Sequence, residues 1–254
     1  MADDPSGGPL EHSHDPVDIR RRLEEGSRPS YLRDAILGGI DGCVTTFAVV
    51  ASVAGAGLPG LVALVLGLAS LAADGFSMAV SNYQGVKSDR DALARTRRQE
   101  ERHIREVPEG EQAEIREIFR RKGFEGEVLE RIVQTITGDR HLWVETMLRE
   151  EHGLELEGPL PAVAGGVTFG AFVLVGALPL LPFVVPHLTG QQHFVASVVV
   201  TAIAFFGIGY AKGAILDMPR LRAGAETLLM GGGAAVIAYA IGLALKPLVG
   251  DLGL

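Results

Sequence analysis

Residues 58–103 read LPGLVALVLGLASLAADGFSMAVSNYQGVKSDRDALARTRRQEERH, and the reading of this stretch decides the fold. From Leu58 to Ala73 it is apolar, Asp74 interrupts it, and from Lys87 onward it is dense in charge. Only Gly85 punctuates the join, and one glycine costs a helix interior about 1 kcal/mol, which a long helix absorbs. The stretch therefore reads as one helix, or two nearly coaxial ones, that crosses a bilayer and continues into water. Its apolar half carries a misplaced acid, and its wet half is rich in carboxylates.

The totals agree with such segregation. Hydrophobic residues make up 47% of the 254, with 33 glycines, although 21% of the chain is charged. Apolar blocks in lipid and charged blocks in water account for both figures. The net charge of −8 argues against nucleic acid and favours cationic partners such as metal ions. The single cysteine, Cys43, excludes an internal disulfide or a thiolate cluster and reads as a small packed residue. Residues 1–30 are polar and rich in Gly and Pro; they read as a disordered cytosolic tail with no cleavable signal peptide. His12 and His14 in that tail read as solvated rather than metal-bound.

A membrane-spanning helix needs about 20 mostly apolar residues. Five stretches qualify: 35–57, 58–83, 160–186, 194–212 and 223–245. The connections at 57–60 and 186–193 contain no Lys or Arg. Arg20, Arg21, Arg22, Arg28 and Arg33, the whole of 87–157, and Lys212, Arg220 and Arg222 fall on the other side. The positive-inside rule then makes the amino terminus and the 87–157 insert cytosolic and the carboxyl terminus external. The expected fold is all-α: a five-span transmembrane helical bundle (31–86 and 158–254) with a cytosolic helical metal-binding insert (87–157) between spans two and three. Small-residue faces at Gly38, Gly39 and Gly42, at Gly165, Gly166 and Gly170, and at Gly231, Gly232 and Gly233 predict close helix approach in lipid. Five spans enclose too little to form a wide pathway, which points to a homodimer with the path near its two-fold axis.

Within the insert the pattern predicts a continuation of span two to about residue 105, then helices over 109–121, 125–137 and 140–152. Ile118, Phe119, Phe124, Val128, Leu129, Ile132, Val133 and Ile136 supply a small core, and Trp143, Val144, Met147 and Leu148 lie on the last helix. Glu100 and His103 are three apart, as are Glu111 and Glu114, so each pair shares a helix face. Met147 and Glu151 are four apart, with Glu150 beside them. Carboxylates with an imidazole and a thioether suit first-row divalent ions better than Ca²⁺ or Mg²⁺. Spacing alone leaves the plainer alternative open, in which these carboxylates form a solvated face and Met147 is core.

Acids inside lipid cost about 2.5–3.5 kcal/mol each on insertion scales and mark function. Asp41 lies about two turns inside span one, and Asp74 two to three turns before span two leaves the membrane, so both fall at similar depth. Asp74, Met78 and Asn82 are spaced by four, which predicts a common face. Two acids and a thioether at one level describe a cation site in which a proton can replace the ion. The alternative is that Asp74 pairs with Lys212 or caps a broken helix. Glu226 reads as a charge at a helix amino terminus.

At these residues the chain resembles the vacuolar iron transporter family, the group that also includes the yeast calcium-cross-complementing iron/manganese carriers. The resemblance is carried by Arg33-Asp34-Ala35-Ile36-Leu37-Gly38-Gly39-Ile40-Asp41-Gly42 and Ala73-Asp74-Gly75-Phe76-Ser77-Met78-Ala79-Val80-Ser81-Asn82-Tyr83. It is also carried by Pro108-Glu109-Gly110-Glu111, Lys122-Gly123-Phe124 and Met147-Leu148-Arg149-Glu150-Glu151-His152-Gly153-Leu154. The resemblance implies a dimer of five-span subunits that exchanges cytosolic Fe²⁺ for protons, with Asp41 and Met78 as translocation ligands and Asp74 nearby. It assigns Glu100, Glu111, Glu114, Met147 and Glu151 to a cytosolic domain that gathers ions. His103 stands where the family usually has a second Glu, and Leu148 where a second Met is common, so capture in this chain should be retuned and more pH-sensitive.

The resulting expectation is a carrier, not an enzyme, with no permanent cofactor: Fe²⁺, or Mn²⁺, is the substrate, and protons are exchanged for it. Membrane lipid and a second copy of the chain are its other partners. The rival is a membrane-tethered divalent-metal buffer or sensor, and a third reading has the insert only docking a protein. The Gly-, Ala- and Arg-rich composition points to a bacterial cell membrane rather than a vacuole.

Overall fold

The computed structural model describes residues 13–25 and 29–251, and every regular element among them is helical. The chain divides into a short unit ending at Ser30 and a main unit from Tyr31 onward. In the first, helix α1 (Pro16–Glu25) forms where a disordered tail was expected. The physical reason is local: Pro16 opens the helix with φ already set, and the Asp15 carboxylate accepts the Val17 amide at 2.9 Å. His14 is exposed, and His12 and Arg28 lie outside the described residues.

The main unit starts with α2 (Leu32–Ala56) and α3 (Gly60–Glu106). The latter is one unbroken 47-residue helix, about 70 Å long by helical rise, and so more than twice a hydrocarbon core. Gly85 does not break it: a Cβ there would meet nothing, so the residue is neither a turn nor a packing contact. The long helix is followed by α4 (Pro108–Arg121), α5 (Gly126–Gly138) and α6 (Arg140–Glu150), close to the helices expected for the insert. Next come α7 (Pro161–Gly176), a 3-10 helix (Leu178–Val184), α8 (Gly190–Ile215) and α9 (Arg220–Asp251).

Four of these helices are long and apolar enough to cross a membrane, and α7 with its 3-10 continuation makes a fifth if the bent pair is one span. That pair corrects the expectation of a continuous span over 160–186. It bends by 41° after α7, where Pro179 and Pro182 lack the amides that an α-helix would use. The central helix is α2, which packs against α3, α7, α8 and α9. Gly38 and Gly42 allow the close approach to α7, since a Cβ on either would collide with the backbone of Thr168 or Phe172, and Gly242 of α9 does the same against Ser52 of α2. Gly165 likewise meets α3 at Ala79, whereas Gly166, Gly170, Gly232 and Gly233 face open space. Leu61, Val65, Leu68 and Phe76 of α3, and Val236, Ile237 and Ile241 of α9, are exposed, as side chains that meet hydrocarbon should be.

Candidate functional site: a carboxylate–imidazole cluster and a pair of intramembrane acids

The distal half of α3 is held by α4 and α6, and α5 packs on both of those. Ile104, Ile115, Leu129, Val133, Ile136, Trp143, Val144, Met147 and Leu148 form the apolar cluster that fixes these helices. Val107 and Pro108 reverse the chain between α3 and α4, which returns Glu111 to Glu100 and His103. The Asp139 side chain caps α6 by accepting the amides of His141 and Leu142 at 2.8 and 3.2 Å. At the other end of α6 the backbone amides of Glu151 and His152 both bond to the Met147 carbonyl, which keeps the two side chains close to α3.

Two overlapping triads result: Glu100, His103 and Glu111, and Glu100, Glu151 and His152, each with its ligand atoms within 4.8 Å of one another. His103 Nδ1 lies 3.4 Å from Glu111 Oε1. His152 Nε2 lies 3.0 Å from Glu100 Oε1 and 3.6 Å from Glu151 Oε2. The Glu100 side chain is only 2% exposed, and both Glu100 Oε2 and Glu111 Oε2 are buried without a hydrogen-bond partner. Burial pushes the Glu111 carboxyl up to about 7, and the charges of Glu114, Glu100 and Glu151 add to it. Burial also raises Glu151, with Glu114 and Glu100 adding to the rise and His152 and His103 opposing it. Gathered anions with unsatisfied buried oxygens are an arrangement that could hold a multivalent cation.

Of the residues expected here, Glu100, His103, Glu111, Glu114 and Glu151 are brought together, Glu114 from an exposed position. Met147 is wholly buried in the apolar cluster. Glu150 is turned elsewhere, because its carboxylate pairs with Lys122 Nζ at 2.5 Å. His152 was missed. It follows the end of α6, where i, i+4 counting no longer applies, and the only sequence signal was its adjacency to Glu151.

The second constellation lies on α2 and α3. Asp41 is half-buried, Asp74 is exposed on the single chain, and their carboxylates are close enough for their charges to act on each other. Asp74 accepts a hydrogen bond from the Ser70 hydroxyl. Among the described residues neither acid makes an ion pair, so Asp74 does not pair with Lys212. Met78 is half-buried against the apolar cluster that contains Phe172. Asp74, Met78 and Asn82 follow one stripe of α3 that drifts by about 80° over the eight residues. The Asn82 amide accordingly points to α2 and α7, donating to Asp34 Oδ1 at 2.9 Å and Thr168 Oγ1 at 2.7 Å. Asp34, 7% exposed, was not singled out from the sequence, although it lies seven residues before Asp41 and so on the same face of α2. Helical rise separates Asp34 from Asp41 by about 10 Å and Asn82 from Asp74 by about 12 Å. The groove between α2 and α3 therefore carries polar groups at two levels.

The model of the VIT family matches residues 32–243. The vacuolar iron transporter 1 of Arabidopsis thaliana is 36% identical over 83% of this chain and 84% of its own length. The vacuolar iron transporter 1 of Oryza sativa subsp. japonica is 32% identical over 92% of this chain and 91% of its own. The vacuolar iron transporter of Toxoplasma gondii is 31% identical over 87% of this chain and 76% of its own length.

Proposed function

The chain belongs to the VIT family, and from that premise we propose that it is an integral membrane transporter that expels cytosolic Fe²⁺, or Mn²⁺, in exchange for protons. The apolar α2, α3, α8 and α9 and the bent α7 pair are its five spans. The amino terminus and α4–α6 lie in the cytosol, and the carboxyl terminus lies outside, in a bacterial cell membrane. An ion is gathered by the triads around Glu100 and passes along the α2–α3 groove to Asp41, Asp74 and Met78.

The observation that carries this reading is the Asp41–Asp74 pair: two neighbouring acids in apolar helices with no basic partner among the described residues. In a low-dielectric site such a pair is tolerable only with a cation or protons between its oxygens, so ion and protons compete for one place. A tethered buffer or sensor needs the cytosolic cluster but has no use for these acids. The exposure of Asp74 on the single chain supports a homodimer, because a second copy packed on α3 shields that carboxylate from lipid. The test is flux of Fe²⁺, Mn²⁺, Zn²⁺ and Ca²⁺ into proteoliposomes under an imposed pH gradient. Asp41→Ala is expected to abolish proton-coupled uptake, and undiminished uptake in that variant refutes the assignment.

A further inference from the structure

His152 and His103 place one nitrogen in each of the two triads, and the two triads share Glu100. The gaps around them are those of a hydrogen bond and ion pairs in the metal-free chain, and they also match a coordination shell. Bonds of about 2.1 Å to a cation set neighbouring ligand atoms roughly 3.0 Å apart in an octahedron and 3.4 Å in a tetrahedron. His152 stands 3.0 Å from Glu100 and 3.6 Å from Glu151, and His103 stands 3.4 Å from Glu111. The unpartnered Glu100 Oε2 and Glu111 Oε2 are a separate sign that something is missing between these groups, since buried carboxylate oxygens are otherwise hydrogen-bonded. His152 also lines a cavity of about 610 Å³ with Ser88, Asp91, Arg95, Thr96 and Gln99, so its ring can be reached from outside the second triad, with the Arg95 guanidinium sharing the opening.

We propose that His152 and His103 are the specificity-determining ligands of this cluster, making it select late first-row divalent ions over Mn²⁺. The inference rests on the reading that the cluster gathers divalent metal, and it adds which metals are favoured. An all-carboxylate pocket suits Mg²⁺, Ca²⁺ and Mn²⁺, whereas imidazole suits Fe²⁺, Ni²⁺, Cu²⁺ and Zn²⁺. At oxygen, nitrogen or sulfur sites alike stability climbs in the order Mn²⁺ < Fe²⁺ < Co²⁺ < Ni²⁺ < Cu²⁺ > Zn²⁺, and replacing carboxylate by imidazole, which suits the later ions, widens the gap to Mn²⁺. His152 acts in the triad that opens to the cavity, so it meets an arriving ion first.

The test uses the full chain, stripped of metal in detergent and titrated by calorimetry or chelator competition with Mn²⁺, Co²⁺ and Zn²⁺ alone. Wild type is expected to bind Co²⁺ at least ~10-fold more tightly than Mn²⁺. His152→Leu is expected to lose ~10-fold or more in Co²⁺ and Zn²⁺ affinity while Mn²⁺ moves by less than ~3-fold, and His103→Glu to move in the same direction. His152→Gln, which keeps a polar side chain of similar length, should show the same selective loss. Unchanged Trp143 fluorescence would report an intact insert. The bound Co²⁺ spectrum should lose one of its two imidazole contributions in both His152 variants, the other being that of His103. The proposal is overturned if wild type shows no preference for Co²⁺, if Mn²⁺ and Co²⁺ weaken together, or if neither changes. Proteoliposome flux is scored separately: transport with no nitrogen-dependent preference removes only this inference. Selective binding without transport removes only the carrier reading.

Discussion

Replacing Glu111 with Gln should stabilise the metal-free insert at alkaline pH while weakening its hold on metal. The Glu111 side chain is 6% exposed, its carboxyl is raised from 4.5 to about 7, and Glu100, Glu114 and Glu151 all act to raise it. Such a shift means that the folded chain resists ionisation. Below about pH 4.5 folded and unfolded chains both hold the proton, and no penalty exists. Above about pH 7 both are ionised and the folded chain carries the whole penalty, so the contribution worsens as pH rises between those values. At about 1.36 kcal/mol per pH unit the penalty is at most about 3 kcal/mol. At about 4–8 °C per kcal/mol for a unit of roughly 60–100 residues, that corresponds to a midpoint shift of at most roughly 12–24 °C.

The assay is built into the sequence. Trp143 is the only tryptophan, and it is buried in the insert's apolar cluster, so its fluorescence during heating or in urea reports that region rather than the membrane helices. With chelator present, the wild-type midpoint should fall between pH 5 and pH 8, and Glu111→Gln should remove most of that fall and melt higher at pH 8. Added divalent ion should raise the wild-type midpoint far more than that of the variant, because the ion offsets a charge that Gln lacks. A Gln variant that melts at or below wild type at pH 8, or a wild-type midpoint indifferent to pH, would refute the account of strain at Glu111.

Asn82→Ala leaves Asp34 buried without its amide donor and should destabilise the membrane domain by about 1–3 kcal/mol, read as an earlier loss of the monodisperse peak on heating in detergent. Gly42→Val forces a side chain into the Phe172 backbone on α7, and well-folded material at wild-type yield would contradict the close approach described there. Lys122→Ala breaks a half-exposed pair with Glu150 and removes an ammonium 5.3 Å from the Phe119 ring, neither in contact with the triads; metal affinity should stay within about 2-fold of wild type and stability within about 1–2 kcal/mol. In a Cys43→Ser background, Ala73→Cys on the exposed side of α3 should give a disulfide-linked dimer in membranes, whereas Leu229→Cys on the exposed side of α9 should not. The same yield of dimer from both positions would count against α3 as the contact.

Local rules fixed the helices of this protein. Apolar length marked the segments able to span a bilayer, Pro108 and Gly123 marked breaks in the insert, and i, i+3 spacing put Glu100 beside His103 because neighbouring turns stack side chains regardless of context. Distance along one helix was equally readable, which is why Asp41 and Asp74 could be set at similar depth. What passes between elements was not readable. The bend after α7 depends on how Pro179 and Pro182 resolve a competition between two helical geometries, and the pairing of Glu150 with Lys122 depends on where α4 ends relative to α6. The approach of His152 to Glu100 joins residues 52 apart in sequence, and the Asp34–Asn82 bond joins residues 48 apart. Such contacts are selected by the packing of whole helix faces, whose relative rotation is a property of the assembled core and of no single segment.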